Sequence, residues 1–227
     1  MVSNLQQVPA LNPDIKPYYE RIRLEAVSFT PTRSQRVYVV FKRLADLLIS
    51  LLAIILLSPI LLIIAIAIRI DSEGKAIFKQ KRVGKDGKLF TIYKFRTMST
   101  EAPKDKSTAD FKDSKNYITK VGSFLRRTSL DELTQLFNVF KGDMSLVGHR
   151  PLIPGEKEID RFRKDNNIYY LRPGMTGLAQ VSGRDDITLT QKMLLDREYL
   201  HQASALIDIK ILFRTVAVVF KHEGVAF

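Results

Sequence analysis

The longest apolar run in the chain extends from Leu47 to Ile68 and reads LLISLLAIILLSPILLIIAIAI, without a charge before Arg69. Roughly 22 residues at 1.5 Å each give about 33 Å of helix, enough to cross the hydrocarbon core of a bilayer. The run begins too late and is too long for a cleaved signal peptide. A buried helix of a soluble protein is the alternative, but so long a charge-free run is rare in soluble domains. The segment therefore predicts a membrane-inserted helix.

The pair Ser58-Pro59 lies in the middle of this run. Proline lacks a backbone N–H and clashes with the preceding turn, so we expect a kink or a break there, with the Ser58 hydroxyl donating to a freed carbonyl. Both flanks are basic, so charge gives no orientation. A bent helix that dips into one leaflet and a kinked helix that spans the bilayer both remain open. The basic residues are Arg36, Lys42 and Arg43 before the run, and Arg69, Lys75, Lys79, Lys81 and Arg82 after it.

The chain carries a formal net charge of +12. This excess favours a phosphate-rich partner: nucleic acid, an anionic membrane surface or a phosphorylated substrate. The absence of cysteine excludes disulfides, zinc–thiolate sites and thiol nucleophiles. His149, His201 and His222 lie far apart without the spacing of metal ligands, and we interpret them as surface or hydrogen-bonding residues.

After the apolar run, AIFKQKRV and KLFTIYKFRTM flank the turn Gly84-Lys85-Asp86-Gly87. Two strand-like runs around an Asp-Gly turn predict a β-hairpin. In the second run Phe90, Ile92, Lys94 and Arg96 share one face by the two-residue period. Lys94 and Arg96 could together hold a phosphate, although a solvated edge with protective charges explains them equally well.

The densest chemistry lies in Arg126-Arg127-Thr128-Ser129-Leu130-Asp131-Glu132. One interpretation is structural: Ser129 to Glu132 forms an S-x-x-E capping box at the start of the helix LDELTQLFNVF. The other is chemical, because a carboxylate at a helix N-terminus beside two arginines stays ionised and can attack phosphorus. Phosphoryl chemistry also needs charge neutralisation by arginine, lysine or a divalent cation. Spacing alone leaves both interpretations open.

Turn-rich segments surround this centre. Residues 99–117 are polar and predict a mobile loop, and the helix after Asp131 is expected to end at Lys141-Gly142-Asp143. The stretches GHRP and RPGMTG can place backbone N–H groups and arginines around an anion, or can be plain turns.

The C-terminal part of the chain predicts two helices. Thr188 to Gln191 resembles a capping box that opens a helix through about Gln202. The segment LIDIKILFRTVAVVFKHEG places Lys210, Arg214 and Lys221 on one side of a largely apolar helix, which favours the lipid interface. An amphipathic core helix is the alternative.

Taken together, these stretches resemble the bacterial monotopic phosphoglycosyl transferases, which move a hexose-1-phosphate from a UDP-sugar to a polyprenyl phosphate. The resemblance covers about residues 36–221. The matching motifs are KRLADLLIS with Ser58-Pro59, KQKRVGKDGKLFTIYKFRTM, LRRTSLDELTQLFNVFKGDMSLVGHRP, LRPGMTGLAQVSGR and DREYLHQASALIDIKIL. His149 and Thr134 stand where the family usually has proline, and neither departure removes a charged group.

The resemblance implies a role for each matching position. Asp131 would be the nucleophile that takes the sugar-phosphate and releases UMP. Glu132 would assist through Mg²⁺ or by orienting its partner, so that Asp131 and Glu132 are the metal ligands. Ser58-Pro59 would break a re-entrant helix whose ends both face the cytoplasm. The further catalytic candidates are Lys94 and Asp196, and the substrate-binding candidates are Arg96, Arg126, Arg127, Arg150, Gln180 and Arg184.

The expected fold is α+β and mostly α: a re-entrant membrane helix, a small β-hairpin and interfacial amphipathic helices. We expect an N-terminal extension over 1–35, the membrane helix over 36–70 and a catalytic domain over 71–227. The expected location is the inner membrane of a bacterium with the catalytic domain in the cytoplasm. The expected partners are a UDP-sugar, polyprenyl phosphate, the lipid bilayer and Mg²⁺, with a homodimer as one option and without nucleic acid.

Two other functions explain the sequence less well. A non-catalytic membrane scaffold would not require the Asp131–Glu132 pair or Arg150, and all three are present. Nucleic-acid binding would use the positive charge, but the apolar segment and the lack of a basic stripe interleaved with aromatics argue against it.

Overall fold

The computed structural model describes residues 27–102, 117–183 and 187–221. Helices dominate, and two small sheets complete an α+β arrangement, as the sequence predicts. The helices are α1 (Arg33–Asp71), α2 (Lys120–Thr128), α3 (Leu136–Lys141), α4 (Lys157–Asp165), α5 (Leu178–Val181), α6 (Leu189–Gln202) and α7 (Ala205–Lys221). The strands are β1 (Ile77–Val83), β2 (Leu89–Phe95), β3 (Ser145–Val147) and β4 (Gly174–Thr176). Residues 1–26, most of the predicted loop over 99–117, and Arg184 lie outside this description.

The hairpin predicted around Gly84–Gly87 is confirmed. Strands β1 and β2 pair antiparallel in a register that places Val83 opposite Leu89. Asp86 and Gly87 have φ of 55° and 72°, as the tight turn requires. Residues directly opposite one another point to the same side of a sheet. The face of Ile92 and Lys94 is therefore continued on β1, and its members there are Phe78, Gln80 and Arg82.

Helix α1 contains the apolar run and is 39 residues long. It is the one helix in the described part of the chain that is long and apolar enough to cross a membrane. Helical structure continues through Pro59, and the Ser58 hydroxyl donates to the Ile55 carbonyl at 2.8 Å. Ile55 is the residue whose carbonyl would accept from the amide that Pro59 lacks. The expected hydrogen bond from the Ser58 hydroxyl to a carbonyl freed by Pro59 is thus confirmed.

Both ends of α1 pack against the rest of the protein. Near its start Arg43 donates to the Val139 and Phe140 carbonyls at the end of α3. Lys42 pairs with Asp208 of α7. Lys42 and Arg43, which count as basic flanks in the sequence, therefore serve to dock the helix.

The second half of α1 meets different elements. Leu61, Ile64 and Ile68 pack in a buried cluster with Phe95 of β2 and Leu125 of α2. Between Ser50 and Leu61 no residue of α1 is buried. The helix thus has two docked ends and an exposed apolar middle.

The segment that carries Asp131 differs from the predicted capping box. Helix α2 ends at Thr128, and Ser129 follows with φ of 56° and makes no side-chain capping hydrogen bond. Residues Leu130–Gln135 form a 3₁₀ helix that leads into α3. The capping-box prediction is wrong, because Ser129 closes the preceding helix with a left-handed backbone. Helix α3 ends before Gly142 as expected.

Strands β3 and β4 pair in parallel and bring together the stretches GHRP and RPGMTG, which with the following helix α5 form what we call the glycine-rich platform. Glycine is needed where their backbones touch. A side-chain carbon on Gly174 would lie 2.1 Å from the Gly148 nitrogen, and one on Gly177 would lie 1.9 Å from the Gly148 oxygen. These turns therefore build a compact platform rather than separate loops.

The C-terminal helices follow the predictions in part. Helix α6 begins with the predicted capping box of Thr188 and Gln191 and ends at Gln202. In α7 Ile211 is buried. An outward apolar stripe, accompanied by the exposed Lys210 and Arg214, consists of Leu206, Ile209, Phe213 and Val216.

Candidate active site

An open cleft lies between the hairpin, the 3₁₀ segment and the glycine-rich platform. One face of the hairpin supplies its first wall, Glu132 and Gln135 come from the 3₁₀ segment, and the platform supplies the rest. The lining residues are Arg82, Ile92, Lys94, Glu132, Gln135, Arg150, Pro151, Gly174, Met175 and Gln180. The structure therefore brings together Lys94, Glu132, Arg150 and Gln180, which are widely separated in the chain.

Glu132 and Lys94 form an ion pair at the edge of this cleft. The Lys94 Nζ lies 2.6 Å from Glu132 Oε1, and both side chains are partly exposed. Asp131 is adjacent in the 3₁₀ helix and interacts electrostatically with Lys94, Glu132 and Arg126. The predicted acid pair thus has two cations beside it.

The surroundings of Asp131 make its carboxylate unusually basic. Burial raises the pKa of Asp131 from its ordinary value of 3.8 to about 6, and the negative charge of Glu132 adds to the rise. Lys94 and Arg126 oppose it. At neutral pH the group is ionised but poorly solvated, which is the state that favours attack on an electrophile.

Arg126 is placed by a close contact between α2 and the end of β2. A side-chain carbon on Gly122 would lie 2.0 Å from the Thr97 carbonyl oxygen, so glycine lets the helix approach the strand. Arg126 Nε then donates to Thr97 Oγ1 at 2.9 Å. Burial lowers the pKa of Arg126, and Asp131 opposes the change. Arg127 is exposed on the same helix.

Arg150 and Gln180 stand on the glycine-rich platform. Arg150 is exposed in the cleft. Gln180 donates from Nε2 to the Met175 carbonyl at 3.0 Å. Its Oε1 is buried without a hydrogen-bond partner among the described residues, so it can accept from a bound ligand.

Arg96 is placed differently from Lys94, with which it was expected to hold a phosphate. Its guanidinium is buried and donates to the Glu73 carbonyl and, at 2.9 Å, to the Ser72 carbonyl. These carbonyls follow the end of α1, where a cation compensates the helix dipole. Arg96 therefore joins β2 to the end of the membrane helix and does not line the cleft.

Asp196 also lies away from the cleft lining. It is 3% exposed, and its Oδ2 accepts from Arg163 Nε at 3.0 Å and from Arg163 Nη2 at 2.6 Å. The remaining nitrogen of Arg163, Nη1, donates to the Arg150 carbonyl at 2.8 Å. Asp196 thus orients Arg163, which in turn holds the backbone of Arg150, and a catalytic role of Asp196 stays a prediction.

His149 belongs to the same buried array. Its Nδ1 accepts from Arg163 Nη1 at 3.1 Å, and its Nε2 lies 3.4 Å from the Leu171 carbonyl. Burial, and after it the charge of Arg163, lowers the pKa of His149 well below its ordinary range. The ring is therefore neutral and its Nδ1 accepts a hydrogen bond, which agrees with the hydrogen-bonding alternative rather than the surface one.

Arg82 is a cleft residue that the sequence analysis missed. It was counted among the basic flanks of the apolar run, yet it lines the cleft with Arg150. A signal was available: the hairpin register predicted by the Asp-Gly turn places Arg82 on the face of Lys94.

The acid pair fits a magnesium ion held jointly with a substrate. No group of three or more His, Asp or Glu side chains suited to a metal occurs in the described ranges. Magnesium is commonly held by one or two carboxylates together with substrate phosphates, and Asp131 with Glu132 supplies such a donor set. The cation would also offset the negative charge of Glu132, which adds to the rise that burial causes in the pKa of Asp131.

The combination of groups suits phosphoryl transfer. A basic carboxylate lies beside a cleft whose walls carry lysine and arginine, and such walls stabilise the charge that develops on a transferred phosphoryl group.

Comparison with known proteins identifies the protein family that the chain matches. The family model described as "Bacterial sugar transferase" matches residues 37–222. The chain is 45% identical over 186 residues to "UDP-glucose:undecaprenyl-phosphate glucose-1-phosphate transferase" of Klebsiella pneumoniae, a match that covers 78% of this chain and 39% of the relative. It is 42% identical over 198 residues to "Undecaprenyl-phosphate galactose phosphotransferase" of Salmonella typhimurium, covering 81% and 41%.

The relatives differ in length. Against "Exopolysaccharide production protein ExoY" of Sinorhizobium fredii, the identity is 35% over 200 residues, covering 81% of this chain and 87% of the relative. In several longer relatives the chain matches about two fifths of the length.

Proposed function

Because the chain belongs to the bacterial sugar transferase family, we propose that it transfers a hexose-1-phosphate from a UDP-sugar to a polyprenyl phosphate such as undecaprenyl phosphate. This step would begin the membrane stage of a polysaccharide or glycan pathway. The names of the relatives in Klebsiella pneumoniae and Salmonella typhimurium support a sugar carried to undecaprenyl phosphate. The observation that carries the proposal is the basic Asp131 carboxylate beside a cleft lined by Lys94 and Arg150.

In the first step Asp131 would attack the phosphorus that bears the sugar. A bond forms between a carboxylate oxygen and this phosphorus, and the bond from the phosphorus to the bridging oxygen of the diphosphate breaks. The electron pair of that bond leaves with UMP. Lys94 and Arg126 would stabilise the developing charge, since both are near enough to Asp131 to affect its pKa.

In the second step an oxygen of the polyprenyl phosphate would attack the same phosphorus. The acyl-phosphate bond to Asp131 breaks, the carboxylate is regenerated, and the product is a polyprenyl diphosphate sugar. A covalent intermediate lets the soluble donor and the lipid acceptor use one site in turn.

Asp131 and Glu132 would hold Mg²⁺ when it is bound with substrate. The ion would supply charge neutralisation at the diphosphate. The ion pair with Lys94 would keep Glu132 oriented in the meantime.

The packing of α1 supports a re-entrant insertion at the cytoplasmic face of the inner membrane. Both of its ends contact the same protein body. The ten residues between Ser50 and Leu61 that have no buried member give about 15 Å of helix, half of the roughly 30 Å core. The exposed apolar stripe of α7 supports a second contact with the lipid interface. A homodimer stays a prediction from the resemblance.

The direct test incubates purified protein with polyprenyl phosphate, Mg²⁺ and a panel of UDP-sugars and measures UMP release. We expect release with at least one sugar, its loss when EDTA removes Mg²⁺, and its recovery when Mg²⁺ is restored. Folded protein that releases no UMP with any sugar of the panel would contradict the proposal.

A further inference from the structure

Arg82 occupies a defined place in the cleft wall. It lies near the end of β1, opposite Phe90, on the hairpin face that also carries Lys94. Arg82 and Lys94 both line the cleft. The neighbouring Lys81 is exposed and points to the other side of the strand.

The hydrogen bonds of Arg82 fix its guanidinium beside the glycine-rich platform. Its Nη2 donates to Gln80 Oε1 at 2.7 Å, and its Nη1 donates to the Pro151 carbonyl at 3.3 Å. The next residue, Val83, donates its backbone N–H to the Leu152 carbonyl at 2.9 Å. The strand therefore holds Arg82 next to the segment that begins with Arg150.

One nitrogen of this guanidinium makes no hydrogen bond to the described residues. Arg82 Nε is buried and makes no hydrogen bond with any described residue. A buried donor without a partner costs free energy, so such a group in a cleft is well placed to donate a hydrogen bond to a ligand.

The charge around Arg82 also favours an anion. Burial, followed by the positive charge of Arg150, lowers the pKa of Arg82 to about 10, while Glu156 and Glu132 act in the opposite direction. Glu132 is already paired with Lys94, and Glu156 accepts the Ile153 N–H at 2.8 Å. Arg82 remains a cation at neutral pH, so two guanidinium groups face one cleft and repel each other until an anion enters.

We propose that Arg82 and Arg150 together bind the diphosphate of the nucleotide-sugar, with Arg82 as a further substrate-binding residue. The inference rests on the proposed function. Two guanidinium groups match two adjacent phosphates, and each can donate more than one hydrogen bond to phosphate oxygens. The polyprenyl phosphate is an alternative source of the anion, and the two sources act in different half-reactions.

The experiment separates these half-reactions in the full chain. Wild type, Arg82→Gln, Arg82→Lys and the matched control Lys81→Gln are mixed with UDP-sugar and Mg²⁺ but without lipid, and adduct formation with UMP release is timed. Polyprenyl phosphate is then added to the preformed adduct and transfer is timed separately. Thermal unfolding with and without UDP reports folding and nucleotide binding for each variant.

We expect Arg82→Gln to lower kcat/KM for adduct formation about ten- to a hundredfold, because a charge-assisted contact to phosphate is lost. Arg82→Lys should recover part of this loss, Lys81→Gln should match wild type, and UDP should stabilise Arg82→Gln less than wild type. Transfer from preformed adduct should be unchanged.

Three results would overturn the inference. The first is normal adduct formation by Arg82→Gln together with normal transfer to lipid. The second is normal adduct formation by Arg82→Gln followed by slow transfer to lipid, which would assign Arg82 to the lipid phosphate. The third, which applies if Arg82→Gln does not fold, is equal activity and equal UDP stabilisation for Arg82→Lys and wild type. A wild-type protein that forms no adduct contradicts the proposed function instead.

Discussion

Asp131 and Asp196 both have an arginine nearby, but they differ in solvent exposure and in how closely the arginine is paired with the carboxylate. Asp196 is almost fully buried, and two nitrogens of Arg163 meet one of its oxygens. Asp131 is partly exposed, and burial raises its pKa to about 6 against the opposing charges of Lys94 and Arg126. Burial raises the pKa of Asp196 as well, and Arg163 opposes that change. The comparison teaches that a buried carboxylate held by two nitrogens of one arginine joins parts of the fold, whereas a partly exposed one can reach a substrate.

The largest expected effect concerns the chemistry assigned to Asp131. Asp131→Asn should lower UMP release by at least about a thousandfold, because the amide cannot replace the carboxylate as nucleophile. Intact mass should show a sugar-phosphate adduct in wild type and none in the variant. Asp165→Asn, which changes an exposed acid on α4, serves as the control with normal activity. An adduct in Asp131→Asn would show that another residue is the nucleophile, and the proposed difference in reactivity between Asp131 and Asp196 would be lost.

The next effect concerns the stability assigned to Asp196. Asp196→Asn should destabilise the fold by about 3–5 kcal/mol, because the Arg163 charge is left buried without its partner. The midpoint of thermal unfolding should fall by about 10 °C.

The matched control breaks an exposed pair in the same region. Arg161 and Asp165 lie 3.7 Å apart with side chains 86% and 52% exposed, and Asp165→Asn should leave the midpoint near that of wild type. If Asp196→Asn kept full stability and lost activity, Asp196 would have a role in the chemistry after all.

The smallest effect sharpens the comparison through pH. Between pH 3.8 and about 6 the folded protein binds a proton at Asp131 that the unfolded chain has released, so stability falls as pH rises through this window. Asp131→Asn should therefore stabilise the fold by about 1–3 kcal/mol at pH 7.5. The gain should shrink as the pH falls toward 4.5, as measured by thermal unfolding at both pH values. If the stability gained by Asp131→Asn did not change with pH, ionisation of Asp131 would not be what destabilises the fold.

Local patterns predicted the elements whose hydrogen bonds are local. The hairpin around Asp86 and the capping box of Thr188 and Gln191 are both confirmed. The Ser58 hydroxyl also bonds to the carbonyl that Pro59 frees. In these cases the residues that determine the geometry lie within a few positions of one another, so the local sequence is enough to predict the hydrogen bonds.

Contacts between distant segments were harder to predict. Ser129 has the right residue three positions later for a capping box, but the packing of α2 places it in a left-handed turn. Asp196 and Arg163 are 33 positions apart, and no local period indicates that they meet. Arg82 was predictable from the hairpin register, and was missed because its charge was assigned to the membrane flank.

The docking of α1 has a consequence for the modularity of this enzyme family member. Leu61, Ile64 and Ile68 share a core with Phe95 and Leu125, which adjoin Lys94 and Arg126. The helix thus packs beneath the strand and the helix that carry these two cations. Removing α1 would expose this shared core to solvent, so we expect the cleft and the apolar helix to fold as one unit rather than as a catalytic domain on a separable tether.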